Sequence, residues 1–261
     1  MSELVDDLRG LGVEAGDVVM VHASLRAIGP VDGGAAGVVE ALDRAVGPDG
    51  TLLMTLGARD DWAWVNERPE ADRPGLLVDA EPFDVAVTPA ELDVGVLAEV
   101  FRTTVGTVVS DHPEGRFGAR GRLAVALTAE VPWDDYYGPG SPLARLVAAG
   151  GKVLRLGADP DTVTLTHYAE ALVDLPDKIR VRRARRVVGR EEVVWIDTFD
   201  DSNGIAPWDG EGDYFPPLLA DYLATGRARQ GRVGGARSEL LEATDYVDFA
   251  VDWLARHLHR P

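Results

Sequence analysis

The chain has 261 residues, of which 46% are hydrophobic, so it is long enough to bury a full core within one large domain. Lys and Arg number 26 against 44 Asp and Glu, and the resulting net charge of −18 disfavours binding to nucleic acid or to an anionic membrane surface. The sequence has no cysteine, which excludes disulfides, thiolate metal sites and cysteine nucleophiles.

The first half of the sequence alternates between helix and strand patterns. Apolar residues at helical spacing predict helices over residues 2–12 and 33–47. Short apolar runs at 17–24 and 50–56 predict buried strands. Because a strand, helix, strand series with short connections is typical of a βαβ unit, we expect these strands to be parallel.

Residues 57–95 interrupt this alternation with a long, polar and irregular segment. The segment contains four prolines and two tryptophans. Loops of this length in a compact domain are usually functional or disordered. Trp62 and Trp64 argue against disorder, because disordered segments contain few aromatic residues. We therefore predict an insertion with a functional role.

The second half continues the alternation and then changes to hairpins. Helices are predicted over residues 92–104, 141–149 and 164–173, and strands over 123–129 and 151–157. Strand patterns at 178–188 and 191–199 flank Gly189, which predicts a β-hairpin. The C-terminal part contains two predicted helices around a short strand–turn segment at 228–240.

These elements together predict a single domain over residues 1–261. The fold class is α/β: a three-layer αβα sandwich with a largely parallel central sheet, a β-hairpin and an irregular loop insertion at about 57–95. In such sheets, ligands bind at the carboxyl ends of the parallel strands.

Three of the five histidines occupy positions where a ligand could bind. His22 follows the first predicted strand, and His167 follows the strand over 151–157, so the two could share one crevice. His112 lies in a loop with the sequence SDHP. Taken alone, each of them is more often a structural histidine that is held by hydrogen bonds.

Several common catalytic motifs are missing. The sequence lacks HExxH, GxSxG, GxxxxGK[ST] and GxGxxG, so zinc chemistry, a serine hydrolase elbow and the usual phosphate loops are not supported. What remains is His167, with Glu170 three residues later and an acidic cluster at 197–204. This inventory fits general base catalysis on an amine or hydroxyl group of the substrate.

Seven sequence blocks follow one another over roughly residues 5–205: VVMVHASLRAIGPVDGG, EALDRAVGPDGTLLMTL, EPFD, SDHPEGRFGARG, SPLARL, GKVLRLGADPDTVTLTHYAE and WIDTFDDSNG. In order and spacing they resemble the aminoglycoside 3-N-acetyltransferases, most closely the apramycin- and gentamicin-type members. The resemblance implies an acyltransferase that moves an acetyl group from acetyl-CoA to the 3-amino group of the 2-deoxystreptamine ring and thereby confers antibiotic resistance. Transfer would be direct, within a ternary complex.

The resemblance also implies the catalytic residues. His167, in a T-x-x-H-x-x-E block, would be the general base. A carboxylate after the later strand supports this histidine in the family. Asp200 matches that position best, and the adjacent Asp201 is the alternative. Glu170 would then have a supporting or structural role. A hydroxyl or backbone N–H, such as that of Thr166, would stabilise the oxyanion.

Two binding regions follow from the same resemblance. Coenzyme contacts are implied for His22, Ala23, Ser24, Leu25, Ser110, His112 and Phe117. Small residues there let the backbone approach a phosphate, to which hydroxyls donate. An acidic cleft for the polycationic aminoglycoside is implied for Asp60, Asp61, Trp62, Glu81 and Asp84.

Expectations about location and partners complete the prediction. No stretch approaches the ~20 apolar residues of a membrane span. The N-terminus is acidic and helix-like, unlike a signal peptide. We therefore expect a cytoplasmic monomer or homodimer that binds an aminoglycoside and acetyl-CoA, without metal, nucleic acid or membrane.

Three other functions stay open on the sequence alone. The nearest is an acetyl-CoA amine acetyltransferase of the same fold that acts on a non-antibiotic amine. A non-catalytic aminoglycoside-binding protein would bind the drug without releasing thiol from acetyl-CoA. A metal-dependent hydrolase would lose activity in the presence of a chelator.

Overall fold

The computed structural model describes residues 2–258 and is built around a seven-stranded sheet. The strands of the described chain are β1 (Val18–Ala23), β2 (Thr51–Thr55), β3 (Val108–Val109), β4 (Phe117–Gly121), β5 (Lys152–Leu156), β6 (Arg180–Arg185), β7 (Val194–Phe199), β8 (Arg229–Val233) and β9 (Ala236–Glu242). The sheet has the order β3-β4-β2-β1-β5-β9-β8, and β6 and β7 form a separate hairpin.

Parallel pairing is confined to the centre of the sheet. β1 pairs in parallel with β2 and with β5, whereas the other four pairings are antiparallel. The α/β prediction is confirmed, and the sheet is mixed rather than largely parallel. At the β8 edge the reason is a local connection: β8 and β9 are joined by the two-residue turn Gly234–Gly235, and strands joined so tightly must be antiparallel.

Helices cover both faces of the sheet, which gives the three predicted layers. In the described residues they are α1 (Ser2–Leu11), α2 (Leu25–Ile28), α3 (Gly34–Val46), α4 (Arg73–Leu76), α5 (Val96–Thr103), α6 (Ala124–Thr128), α7 (Pro142–Ala148), α8 (Leu165–Leu172), α9 (Phe215–Ala224) and α10 (Ala243–His257). None of these helices is long and apolar enough to cross a bilayer.

Alternate residues of the central strands face two separate cores. Val19 and Leu52 pack with α1, α3 and α5 on one face. Met20 and Leu53 pack with α6 to α10 on the other face. This alternation is the two-residue period of a strand, so each central strand is buried on both sides.

The predicted strand over residues 123–129 is wrong. This apolar run forms α6, and the strand of the region is β4, directly before it. Ala124, Leu127 and Thr128 are buried, at the i, i+3, i+4 spacing of a helix face, and so short a run does not distinguish helix from strand by composition. The sequence of β4, FGARG, lacked the apolar alternation that predicts a strand.

The irregular segment packs against the β6–β7 hairpin. Val65, Leu77 and Ala80 of the segment form a small core with Ala184 of β6. Asn66 accepts the backbone N–H of Ala184 at 2.8 Å. The segment and the hairpin thus form one lobe beside the sheet, called the hairpin lobe below.

Candidate active site

His167 lies in the first turn of α8, beyond the carboxyl end of β5. A short 3-10 turn, Pro160–Thr162, connects the strand to this helix. Leu165 and Ala169 are fully buried in the core, and this anchors α8 against the sheet. The helix therefore presents His167 at the edge of the sheet where parallel strands end.

Three cavities meet at His167. The strand-end cavity, about 470 Å³, lies at the ends of β1 and β2 and is lined by Ser24, Met54 and Gly95 among others. The hairpin cavity, about 420 Å³, lies between the sheet and the hairpin lobe. The loop cavity, about 470 Å³, lies against residues 201–215. His167 lines all three, so its imidazole can contact molecules bound in each of them.

The imidazole is held by a carboxylate and two aromatic rings. His167 Nδ1 lies 2.6 Å from Oε2 of Glu170, whose side chain is almost completely buried. The ring stacks on Tyr137, with centroids 4.9 Å apart and an interplanar angle of 7°, and it also contacts Phe215. In the described part of the chain, Nε2 has no hydrogen-bond partner.

These contacts favour a ring that accepts protons at Nε2. Burial works to lower the pKa of His167. The charge and hydrogen bond of Glu170, together with the charges of Asp201 and Asp213, outweigh burial, and the pKa is raised. A carboxylate on Nδ1 also fixes the tautomer, because it accepts the Nδ1 proton and leaves Nε2 as the acceptor. An imidazole held in this way has a free nitrogen that can accept a proton.

Asp201 belongs to an ionic network in the wall of the hairpin cavity. Its carboxylate pairs with Arg183 and accepts the hydroxyl of Tyr136 at 2.5 Å. Burial works to raise the pKa of Asp201, but the charges of Arg183 and His167 outweigh it and the pKa is lowered. Asp201 therefore adds negative charge beside the imidazole.

The comparisons with known proteins identify the family. Residues 20–255 match the family model described as Aminoglycoside 3-N-acetyltransferase. The chain belongs to this family. An aminoglycoside N(3)-acetyltransferase VII from Streptomyces paromomycinus is 41% identical to this acetyltransferase over 99% of the chain and 92% of the relative.

Solved structures agree with this assignment. An AAC-IIIb structure, described as binary with CoASH, is 38% identical, has a TM-score of 0.92 and aligns over 100% of this chain and 97% of its own. An AAC-VIa structure bound to sisomicin is also 38% identical, has a TM-score of 0.89 and aligns over 98% and 97%. The chain is therefore an acyltransferase of the aminoglycoside 3-N-acetyltransferase type.

Asp200 and Thr166 of this acetyltransferase form hydrogen bonds with groups other than the imidazole. Asp200 accepts the N–H groups of Ser202 and Asn203 in its own turn, at 3.1 and 2.9 Å. The hydroxyl of Thr166 is completely buried and lies 2.7 Å from that of Tyr246 on α10. The structure places Glu170 on the imidazole, and the expected roles of Asp200 and Thr166 stay predictions.

The first group of expected coenzyme residues does line the strand-end cavity. His22, Ala23, Ser24 and Leu25 lie at the end of β1 and the start of α2, in the same cavity as His167. Ser24 accepts the N–H of Ala27 at 3.4 Å and so caps α2. Burial and then Arg155 lower the pKa of His22 to about 4, so its ring is neutral.

The second group of expected coenzyme residues is buried below the site. Ser110 accepts the N–H of Phe117 at 2.8 Å, and Phe117 packs edge-on against Tyr137. His112 accepts the N–H of Gly115 at 2.7 Å and bonds the carbonyl of Trp133 at 3.0 Å. None of Ser110, His112 and Phe117 lines the three cavities, and their coenzyme contacts stay predictions.

Of the expected acceptor residues, Asp60 is the one that lines any of the three described cavities. It lines the hairpin cavity and pairs with Arg185 at 3.0 Å. The others lie as follows, and their acceptor roles stay predictions: Asp61 pairs with Arg59 on the surface, Trp62 stacks on Trp64 within the hairpin lobe, Glu81 is exposed, and Asp84 caps its own turn. Carboxylates that sequence reasoning missed line the hairpin and loop cavities: Glu91, Glu114, Asp161 and Asp213.

The sequence did contain a signal for two of these. Glu114 lies in the SDHPEG block, and Asp161 lies in the GADPD turn before α8. Both blocks carry the family resemblance. Among residues 2–258, no group of three or more His, Asp and Glu side chains is placed to hold a metal ion.

Proposed function

We propose that this acetyltransferase moves the acetyl group of acetyl-CoA directly to the 3-amino group of an aminoglycoside's 2-deoxystreptamine ring, with His167 as general base. The observation that carries the proposal is the position of His167, whose Nδ1 is held by Glu170 at the meeting point of three cavities. Both substrates can then reach one imidazole in a ternary complex. Acetylation of this amine would confer resistance.

The strand-end cavity suits the acetyl-CoA arm. Its lining includes Ala23, Ser24 and Leu25 and the apolar residues Met54 and Leu97. It also contains Asp93, Asp159 and Asp161 but neither Arg nor Lys. The cavity therefore fits the uncharged pantetheine arm and thioester, and the phosphates of the coenzyme would lie outside it. A relative in this family binds CoASH.

The other two cavities suit a polycation. The hairpin cavity contains Asp60, Glu91, Glu114 and Asp201 against two arginines, and the loop cavity adds Asp213. The net charge of −18 strengthens this local field. A relative of this chain binds sisomicin, an observation that supports an aminoglycoside acceptor here.

The reaction proceeds by direct attack of the amine. Nε2 of His167 takes a proton from the 3-amino group, whose nitrogen attacks the thioester carbonyl. Glu170 stabilises the imidazolium, and the hydroxyl of Thr164, which accepts that of Thr55 at 3.2 Å in the strand-end cavity, donates to the oxyanion. The tetrahedral intermediate expels the coenzyme A thiolate, which takes up the proton from the imidazolium. No enzyme nucleophile is required.

Acetyl transfer is tested with several acceptors. Purified protein is incubated with acetyl-CoA and apramycin, gentamicin or a simple primary amine, and thiol release is followed. We expect release with the aminoglycosides and an acetyl group on N3 of the product by NMR. Release with the simple amine alone would favour the non-antibiotic alternative, and drug binding without release would favour the binding protein.

A further inference from the structure

Tyr214 reaches the buried carboxylate of Glu170 from the side opposite to His167. Its hydroxyl donates to Oε1 of Glu170, while Nδ1 of His167 bonds Oε2. The same hydroxyl accepts the backbone N–H of Ile205 at 3.2 Å. Tyr214 is 3% exposed and Glu170 is 2% exposed, so water does not replace these bonds.

A carboxylate buried to this degree needs hydrogen bonds to both oxygens. The imidazole supplies one of them, and Tyr214 supplies the other. Lys178 lies nearby, but its ammonium group bonds the backbone carbonyl of Glu170, at 2.8 Å, rather than the carboxylate. In the described chain, Tyr214 and His167 are therefore the two side chains that donate to Glu170.

The loop before α9 is shaped around the ring of Tyr214. Gly204 has a φ of +95°, and a Cβ at this position would lie 2.7 Å from the tyrosine ring. Burial, with the charge of Glu170, raises the pKa of Tyr214, so its hydroxyl keeps its proton and remains a donor. The loop that lines the loop cavity thus fixes the orientation of the carboxylate behind the base.

We propose that Tyr214 is a positioning residue of the acetyl transfer, the outer member of a Tyr214–Glu170–His167 relay. Tyr214 holds Glu170, Glu170 holds the imidazole, and the imidazole takes the proton of the attacking amine. The tyrosine itself exchanges no proton. This inference rests on the proposed role of His167 and adds a residue that acts on the reaction through Glu170.

The relay predicts a specific change in pH dependence. The charged groups that act on His167 are Glu170 on its own helix and Asp201 and Asp213 on the loop. A hydrogen bond from Tyr214 draws negative charge away from the carboxylate oxygen that faces the imidazole. Without it, that oxygen attracts the imidazolium more strongly, so the pKa of His167 rises and the acid limb of kcat/KM moves to higher pH.

The test compares two tyrosines that bond the same helix. Tyr214→Phe removes the hydroxyl on Glu170, and the control Tyr246→Phe removes the equally buried hydroxyl on Thr166. We expect Tyr214→Phe to lower kcat by roughly tenfold, the effect of one hydrogen bond to a charged group. KM for both substrates should stay unchanged. Tyr246→Phe should lower the melting temperature without changing kcat or the pH profile.

A second variant keeps the ring and its hydroxyl in place. Incorporating 3-fluorotyrosine at position 214 makes the hydroxyl a stronger donor, so the acid limb should move to lower pH, opposite to Tyr214→Phe. Equal losses of kcat in Tyr214→Phe and Tyr246→Phe, or an acid limb that neither change at position 214 moves, would overturn the relay. Full turnover in His167→Ala would instead refute the base assignment itself.

Discussion

The hydrogen bond between His167 and Glu170 connects the imidazole, which lines the cavities, to the buried interior. Glu170 was visible in the sequence three residues after the histidine, yet Asp200 matched the family position better. The sequence does not show which carboxylate reaches the imidazole. In the structure, Asp200 uses its carboxylate to close its own turn. The side-chain direction that decides this comes from α8, whose i, i+3 spacing puts Glu170 beside the imidazole.

Glu170→Gln tests this bond. The raised pKa of His167 depends on the Glu170 charge, which opposes the effect of burial. Without that charge the pKa falls, so the acid limb of the kcat/KM profile should move to lower pH. An amide can also donate to Nδ1 and stabilise the wrong tautomer, so kcat should fall roughly 100-fold.

The pH profile of this variant is compared with that of Glu40→Gln, a change on the exposed face of α3. The control should keep the wild-type profile. In the wild-type protein, the acid limb should lie above the ordinary imidazole pKa of 6.5, because an imidazole with a raised pKa stays protonated, and inactive as a base, to higher pH. An unshifted limb in Glu170→Gln would contradict the assignment of Glu170.

At the level of elements, the site depends on the contact between the irregular segment and the β6–β7 hairpin. The sequence predicted both elements but not that they pack together, because their small core combines residues more than 100 positions apart. The same contact places Asp60 in the wall of the hairpin cavity. Arg185 of β6 holds it there, 3.0 Å away, and also pairs with Glu114 at 2.8 Å.

Arg185→Ala tests this contact. The change leaves the largely buried Asp60 without its cation and leaves Glu114 with only its 3.9 Å pair to Arg183, which should cost roughly 3 kcal/mol of stability. The control is Arg182→Ala on the same strand, whose exposed pairs with Glu70 and Asp197 should contribute less than about 1 kcal/mol. Chemical denaturation measures both, and equal losses would argue against a buried network.

For the whole molecule, length and periodicity predicted the layers, and the short connections predicted the parallel centre. The mixed edges were missed because pairing partners far apart in the sequence leave no periodic signal; β2, for example, pairs with β4 across the whole irregular segment. The strongly acidic composition is also a property of the whole molecule, and its physical consequence is the attraction of cations at a distance.

This attraction predicts a salt dependence. The Debye length falls from ~10 Å at 0.1 M salt to ~3 Å at 1 M, so added salt should raise KM for the polycationic aminoglycoside. KM for acetyl-CoA, whose phosphates carry negative charge, should not rise in parallel. Steady-state kinetics over this range of sodium chloride measure both, and a KM for the aminoglycoside that does not change with salt would contradict a charged acceptor site.

The claim on which the mechanism depends is that His167 removes the proton of the attacking amine. Its most direct test is the turnover of His167→Ala at saturating acetyl-CoA and aminoglycoside, followed by thiol release, with calorimetry to show that the drug still binds. The geometry predicts a kcat lower by ~10²- to 10⁴-fold with binding retained. Turnover at the wild-type rate would contradict it.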